Sequence, residues 1–387
     1  MLTYLPYILL ISILFIGSLL EVVGFRKDQM KYVRWGILTF LFIFIGFRFN
    51  TGADWYLYIK EFLSISANGK DIMGWEPGFV ALNSIVSILF GNYYVIQVLA
   101  SFFLLYAVNK TYTKYSSYPI LSISLFVIIF LAGIMMAQVR QSIALSIILL
   151  GTQYIFEKKF YRYLGVVFMA CLFHISAVVA LPLYFLNRRI NKYTVLVLML
   201  FPLVFYFYPN IVIDLIDVFS PYLPERLSAL VEVYKDSFFA RKAEFGTGLY
   251  FIATIFIYII TVLLVDYKEK NYFYVNTLMV LVIILGLSNV VSIIGRFSSY
   301  YYSYAIIAII SLLDIKYKPF SKSVTNLFIY NFIFFFFLFR LIVVLTQTQI
   351  SPLTGRAGNY GYVPYYNLIY HPDEANERLD WVEKGKK

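Results

Sequence analysis

The chain has 387 residues, of which 61% are hydrophobic and only 14% charged, against roughly 45–50% apolar and 25% charged in soluble domains. That balance excludes a soluble globular enzyme. The formal charge of +11 would suit nucleic acid in a soluble protein, but in a membrane protein basic residues chiefly record topology, so no nucleic-acid partner is expected. One cysteine, Cys171, excludes an intrachain disulfide and a cysteine-based metal cluster, and in its apolar run it reads as a small buried hydrophobe.

Apolar runs long enough to approach a bilayer crossing, about 20 residues, are expected near 4–24, 33–47, 93–109, 119–136, 138–156, 194–213, 248–265, 272–291, 296–314 and 323–346. The first opens directly after Met-Leu-Thr-Tyr, with no basic n-region and no small-x-small cleavage site, so it reads as a retained helix. Two stretches are ambiguous. Residues 79–91 are apolar but short, and 163–187, with His174 in its middle, is too long for one straight helix and short for two.

Lysine and arginine placement arbitrates, because it sets orientation over short loops. If 79–91 does not cross and 163–187 crosses twice, one face collects the loops carrying Arg26, Lys27, Lys31, Arg34, Lys110, Lys114, Lys158, Lys159, Arg162, Arg188, Arg189, Lys192, Lys268, Lys270, Lys316, Lys318 and Lys322. That is 17 of the 32 basic residues, against five acids in the same loops. The expectation is an all-α, polytopic integral membrane bundle of about 12 transmembrane helices over 1–346. Both termini lie outside, with larger outer segments at 48–92 and 214–247 and an extracytoplasmic tail over 347–387. The inner loops are short anchors; the outer face has the material for a site.

Ionisable groups at or within spans cost several kcal/mol unless they face a polar cavity, so each is a functional candidate. Arg48, Arg140, His174, Arg296 and Arg340 all fall to the outer side. Arginine presents a planar fork of donors matched to phosphate oxygens, so arginines at outer helix ends point to a phosphate or pyrophosphate; the other reading of each is a snorkelling or ion-paired side chain. His174 suits taking a proton from a sugar hydroxyl at neutral pH, or else it bonds a backbone carbonyl at a helix break. His371, in the tail, reads as surface. Two distant histidines make no zinc site, and without an Asp-x-Asp pair no metal or other cofactor is expected. In the first outer segment, RFNTGADWYLYIKEF (48–62) brings Arg48, Asp54, Tyr56 and Tyr58 close together, with Glu76 following in WEPGF (75–79). Aromatic rings beside acids suit carbohydrate, though tyrosine and tryptophan also anchor membrane interfaces.

Taken in order, FRFNTGADWYLYIKEF with EPGF, MAQVRQSIALSIILLG (136–151), FHISAVVALPLYF (173–185) and GRFSSYYY (295–302) resemble the EpsG family of Wzy-like polysaccharide polymerases, over roughly residues 30 to 310. The resemblance implies a metal-independent membrane glycosyltransferase using a lipid-linked donor. Such enzymes extend O-antigen, capsule or exopolysaccharide at the outer face of the bacterial cytoplasmic membrane. The growing glycan leaves undecaprenyl pyrophosphate and joins the non-reducing end of a new lipid-linked repeat unit. The implied partners are that lipid-linked oligosaccharide, the bilayer, a chain-length regulator and a flippase. Carried onto this sequence, the resemblance assigns Arg140 and Arg296 to the pyrophosphate, with Arg48 assisting. His174 is the first choice for orienting or deprotonating the acceptor hydroxyl, with Asp54 and Glu76 as competitors, and Gln141, Tyr58, Tyr300 and Tyr301 are binding groups. A flippase for lipid-linked sugars and a glycan-modifying membrane acyltransferase are the alternatives.

Overall fold

A computed structural model describes residues 4–69, 74–208, 245–265, 271–288, 292–315 and 321–346, isolated residues 214, 218 and 222, and, in the tail, 349–350, 357–358, 362–363 and 365–368. The outer segment expected at 214–247 lies almost wholly outside the described residues, as does most of the tail, His371 included.

The fold is all-helical, apart from a two-residue antiparallel strand pair in the tail, β1 (Gln349–Ile350) with β2 (Ala357–Gly358). In chain order the helices are α1 (Leu5–Val23), α2 (Met30–Gly46), α3 (Trp55–Asn68), α4 (Pro77–Phe90), α5 (Tyr94–Tyr115), α6 (Pro119–Phe130), α7 (Val139–Phe156), α8 (Phe160–Cys171), α9 (Lys192–Leu200), α10 (Pro202–Phe207), α11 (Phe245–Leu264), α12 (Tyr272–Ser288), α13 (Ser298–Ile310) and α14 (Lys322–Thr346). Among the described residues, α1, α5, α7 and α14 are long and apolar enough to cross a membrane, and seven further apolar helices are shorter. The segment 48–92, expected on the outer side, is not an irregular loop. It folds as α3 and α4, which pack on each other, and Pro77 starts α4 at a position where its missing N–H leaves nothing unsatisfied.

The chain divides into two compact units. The first holds residues 1–152, 164–178 and 318–387. Within it α5 lies along α7 and α2, while α6 packs on α1 and α14. α6 is buried on all sides, as a helix apolar all round should be. Its first amides, those of Ile120 and Leu121, donate to the Glu21 carboxylate at 3.0 and 2.9 Å, satisfying donors that a helix start leaves free. α14 shows the opposite pattern. Tyr330, Ile333, Phe334, Phe337, Leu341 and Leu345 face inward, while Phe328, Phe332, Phe335, Phe339 and Ile342 form an exposed apolar stripe along the other side. Such a stripe is at home against lipid chains and costly in water.

The second unit holds residues 153–163 and 179–317. α12 is its centre, packed against α9, α10, α11 and α13. The expected span at 194–213 is interrupted where Pro202 starts α10 after Phe201.

The stretch 163–187 breaks at His174, as its length suggested, but its second half is a 3-10 helix, Ile175–Leu186. Ala177, Ala180, Leu183 and Leu186 are buried, a period of three that matches three residues per turn. At about 2.0 Å per residue, this form reaches further than an α-helix of equal length. Pro182 has no N–H for the Val179 carbonyl three residues back; the Tyr301 hydroxyl donates to that carbonyl instead, at 2.6 Å, and Tyr163 donates to Ala180 at 2.8 Å.

Candidate active site

In the first unit, three of the candidate residues meet on one carboxylate. Glu76 sits immediately before Pro77 in extended backbone, the conformation that a following proline favours. Its Oε2 accepts from Arg140 Nη1 at 2.6 Å, and its Oε1 lies 3.1 Å from His174 Nδ1 and accepts the Ile175 N–H at 2.9 Å. One side chain thereby ties the start of α4 to the start of α7 and to the break between α8 and the 3-10 helix. All three remain reachable, with side-chain exposures of 14% for Glu76 and His174 and 21% for Arg140.

The neighbours explain why the motifs read as they do. The Gly78 N–H donates to the Leu172 carbonyl at 2.8 Å, and a Cβ on Gly78 would lie only 2.7 Å from that oxygen; only glycine lets α4 approach the break so closely. Trp75 lies under the Arg140 guanidinium, 4.5 Å from its carbon, a cation–π contact. Tyr58 and Phe79 contact the Trp75 ring at 5.1 and 5.3 Å, and Arg140 donates to the Tyr58 hydroxyl. Beneath them Tyr58, Phe62, Phe79, Tyr93, Ile96, Val139 and Ile143 form one apolar core, so the site is mounted on α3, α4, α5 and α7 together.

Burial would push the Glu76 carboxyl up, but hydrogen bonds from His174 and the Ile175 amide and the charge of Arg140 prevail and hold it at about 2. It is therefore an ionised acceptor at neutral pH, with both oxygens engaged, which argues against it as the base. An ionised carboxylate cannot donate, so Nδ1 of a neutral His174 carries the proton of that contact and Nε2 is left with the lone pair. Glu76 orients; His174 Nε2 is the group able to accept a proton.

The RFNTGAD loop is fixed residue by residue. Arg48, expected to assist with pyrophosphate, is instead 2% exposed, and its guanidinium donates to the carbonyls of Thr51 and Ile45 at 3.1 and 2.6 Å. Gln97 clamps the Gly46 and Arg48 carbonyls, each at 2.8 Å. Asn50 takes a positive φ of 46° and accepts from Tyr94 at 2.7 Å. Gly52 has φ 118°, and a Cβ there would stand 2.1 Å from the Met136 carbonyl, so no other residue fits. The loop ends in Asp54, half-buried at the head of α3, and it rests against the break of residues 136–138 that precedes Arg140. That break follows a π-helical turn, Leu131–Met135, a feature common near functional sites.

The other candidates lie elsewhere. Gln141 is buried beside Arg140. Arg296, Tyr300 and Tyr301 belong to the second unit. Arg296 is exposed, in the 3-10 turn Ser292–Phe297 that leads into α13. Tyr300 and Tyr301 are buried, with the Tyr301 hydroxyl committed to Val179. Among the described residues no cluster of histidine, cysteine and acidic side chains could hold a metal.

Sequence reasoning missed Trp75 as a partner of Arg140, and it missed the tail. Residues 365–368 lie along the end of α2, with Phe49 N–H donating to Tyr366 at 2.9 Å, Leu368 N–H to Phe47 at 2.7 Å, and Arg48 bridged to Asn367. The tyrosine cluster in YVPYY (362–366) was the available signal.

Compared with known proteins, the chain matches the sequence model of the EpsG family over residues 31–371, a range that includes this docked tail. Neither the curated proteins nor the solved structures contain a match.

Proposed function

Since the chain belongs to the EpsG family, a family of polysaccharide-polymerase type, we propose that it is a polymerase that transfers a growing glycan from undecaprenyl pyrophosphate to the non-reducing end of a lipid-linked repeat unit. The observation that carries this reading is the single Glu76 carboxylate shared by Arg140 and His174.

In the proposed step the acceptor hydroxyl oxygen forms the new bond to the anomeric carbon of the donor sugar. The bond from that carbon to the pyrophosphate oxygen breaks, and its electron pair leaves with the pyrophosphate. The hydroxyl proton passes to His174 Nε2, while Glu76 holds the imidazole in the tautomer that can accept it, an arrangement worth about 10²–10⁴ in rate. Arg140 stands in the first turn of α7, where the guanidinium and the positive end of the helix dipole both attract an anion, and the proposal puts the leaving charge there. Asp54 and Tyr58 are assigned to sugar hydroxyls and rings. Arg296 is proposed as a further phosphate-binding group, tested by its own substitution. Arg48 is reassigned from ligand binding to holding the loop. The site faces outward from the bacterial cytoplasmic membrane, about 12 crossings make up the bundle, and a flippase and a chain-length regulator act before and alongside it.

The test supplies purified protein with synthetic undecaprenyl-pyrophosphate repeat units and no nucleotide. A glycan ladder is expected; no ladder from the native repeat unit contradicts the proposal.

A further inference from the structure

The loop that carries Asp54 and the turn that precedes Arg140 are separate in sequence, yet one hydroxyl from the far end of the chain joins them. The Ala53 N–H donates to the Tyr362 hydroxyl, and that hydroxyl donates to the Ala132 carbonyl at 2.7 Å. Ala132 lies in the π-helical turn, whose exit is bent by the amides of Ala137 and Gln138 both turning to Gly133, at 2.8 and 3.0 Å. The widened turn leaves the Ala132 carbonyl for Tyr362. Tyr362 is 5% exposed and is itself anchored, since Tyr7 donates to its carbonyl. Close by, Tyr365 donates to Phe44 and stacks on the Phe44 ring at 4.3 Å.

We propose that Tyr362 is a positioning residue of the active site, whose hydroxyl sets the Asp54 loop and the turn before Arg140 in register. The proposal rests on the polymerase reading for its functional consequence and on the hydrogen bonds alone for its structural one. A phenolic hydroxyl suits the task because it accepts from one backbone group and donates to another at once, and a small displacement of a catalytic group costs rate out of proportion to its size.

The test uses the full-length protein in nanodiscs and compares the Tyr362→Phe variant with wild type by amide hydrogen exchange. Faster exchange in both 50–54 and 132–138, by about tenfold or more, is expected once the shared bond is gone. The Tyr7→Phe variant, which loosens the tail without touching the hydroxyl bridge, serves as control. Unchanged exchange in the two segments overturns the proposal, and so does the same acceleration in the Tyr7→Phe variant, since anchoring of the tail would then account for everything. In the ladder assay, Tyr362→Phe should lower kcat about tenfold with KM little changed, and should lose most of that effect in an Asp54→Asn background, as groups acting through one another do. Additive losses overturn it. A wild-type protein that makes no ladder counts against the polymerase reading, and the exchange comparison still decides the positioning role.

Discussion

At the scale of residues, the site depends on one carboxylate serving two partners. Glu76→Gln keeps the shape but removes the charge that faces Arg140 and leaves one carbonyl oxygen in place of two, so Arg140 and His174 can no longer both find an acceptor on this side chain. The ladder rate should fall about 100-fold, read as initial rate at matched protein amounts. The same carboxylate contributes stability that depends on pH. Its folded value of about 2 lies below the ordinary 4.5, so the contribution is complete above pH 4.5 and is lost as pH falls toward 2. It amounts to at most about 3 kcal/mol. Thermal unfolding of wild type should therefore drop more steeply across that window than unfolding of Glu76→Gln; parallel curves would contradict it. Glu76, Arg140 and His174 were each legible as candidates, because a polar side chain at a helix end or break in an apolar chain stands out. Their convergence was not, since they come from stretches 64 and 98 residues apart. Arg48 shows the converse: in sequence, an arginine that meets a phosphate looks the same as one that satisfies buried carbonyls.

At the scale of elements, close backbone approach and helix type set the geometry. Gly78→Ala would drive a Cβ against the Leu172 carbonyl, backbone that cannot rotate away, so α4 must shift and carry Glu76 with it. We expect a loss of about 1–3 kcal/mol in stability together with a large drop in ladder rate. The 3-10 helix offers a sharper check. Tyr301→Phe leaves the Val179 carbonyl without its donor and should cost about 1–3 kcal/mol. Pro182→Ala supplies an N–H at the position that can bond Val179, so in that background the cost of Tyr301→Phe should shrink; a double-mutant cycle in denaturant measures the difference. That residues 163–187 would break at His174 could be read from length. The 3-10 form could not, because the Ala177, Ala180, Leu183, Leu186 spacing also fits one side of an α-helix for its first two turns. Likewise, 48–92 was read as an outer segment because its apolar run, 79–91, is shorter than a bilayer crossing, and length alone does not reveal that α3 and α4 pack on each other.

At the scale of the whole molecule, composition and the exposed apolar stripe of α14 agree on a membrane protein, and the family match extends that to the polysaccharide-polymerase class. The apolar runs showed where helices would lie because lipid rewards the same pattern along every crossing. The tail offered only its tyrosine cluster as a signal, for the opposite reason: its tyrosines bond backbone groups hundreds of residues away, and no local periodicity marks that. In the proposed reaction Glu76, Arg140 and His174 perform glycan transfer together. The most direct test measures ladder formation on undecaprenyl-pyrophosphate repeat units by wild type and by the Glu76→Gln, Arg140→Ala and His174→Ala variants, each inserted to the same level. A ladder is expected from wild type and none, or only the shortest products, from the three variants; a full ladder from His174→Ala would rule out His174 as the base and with it the shared mechanism.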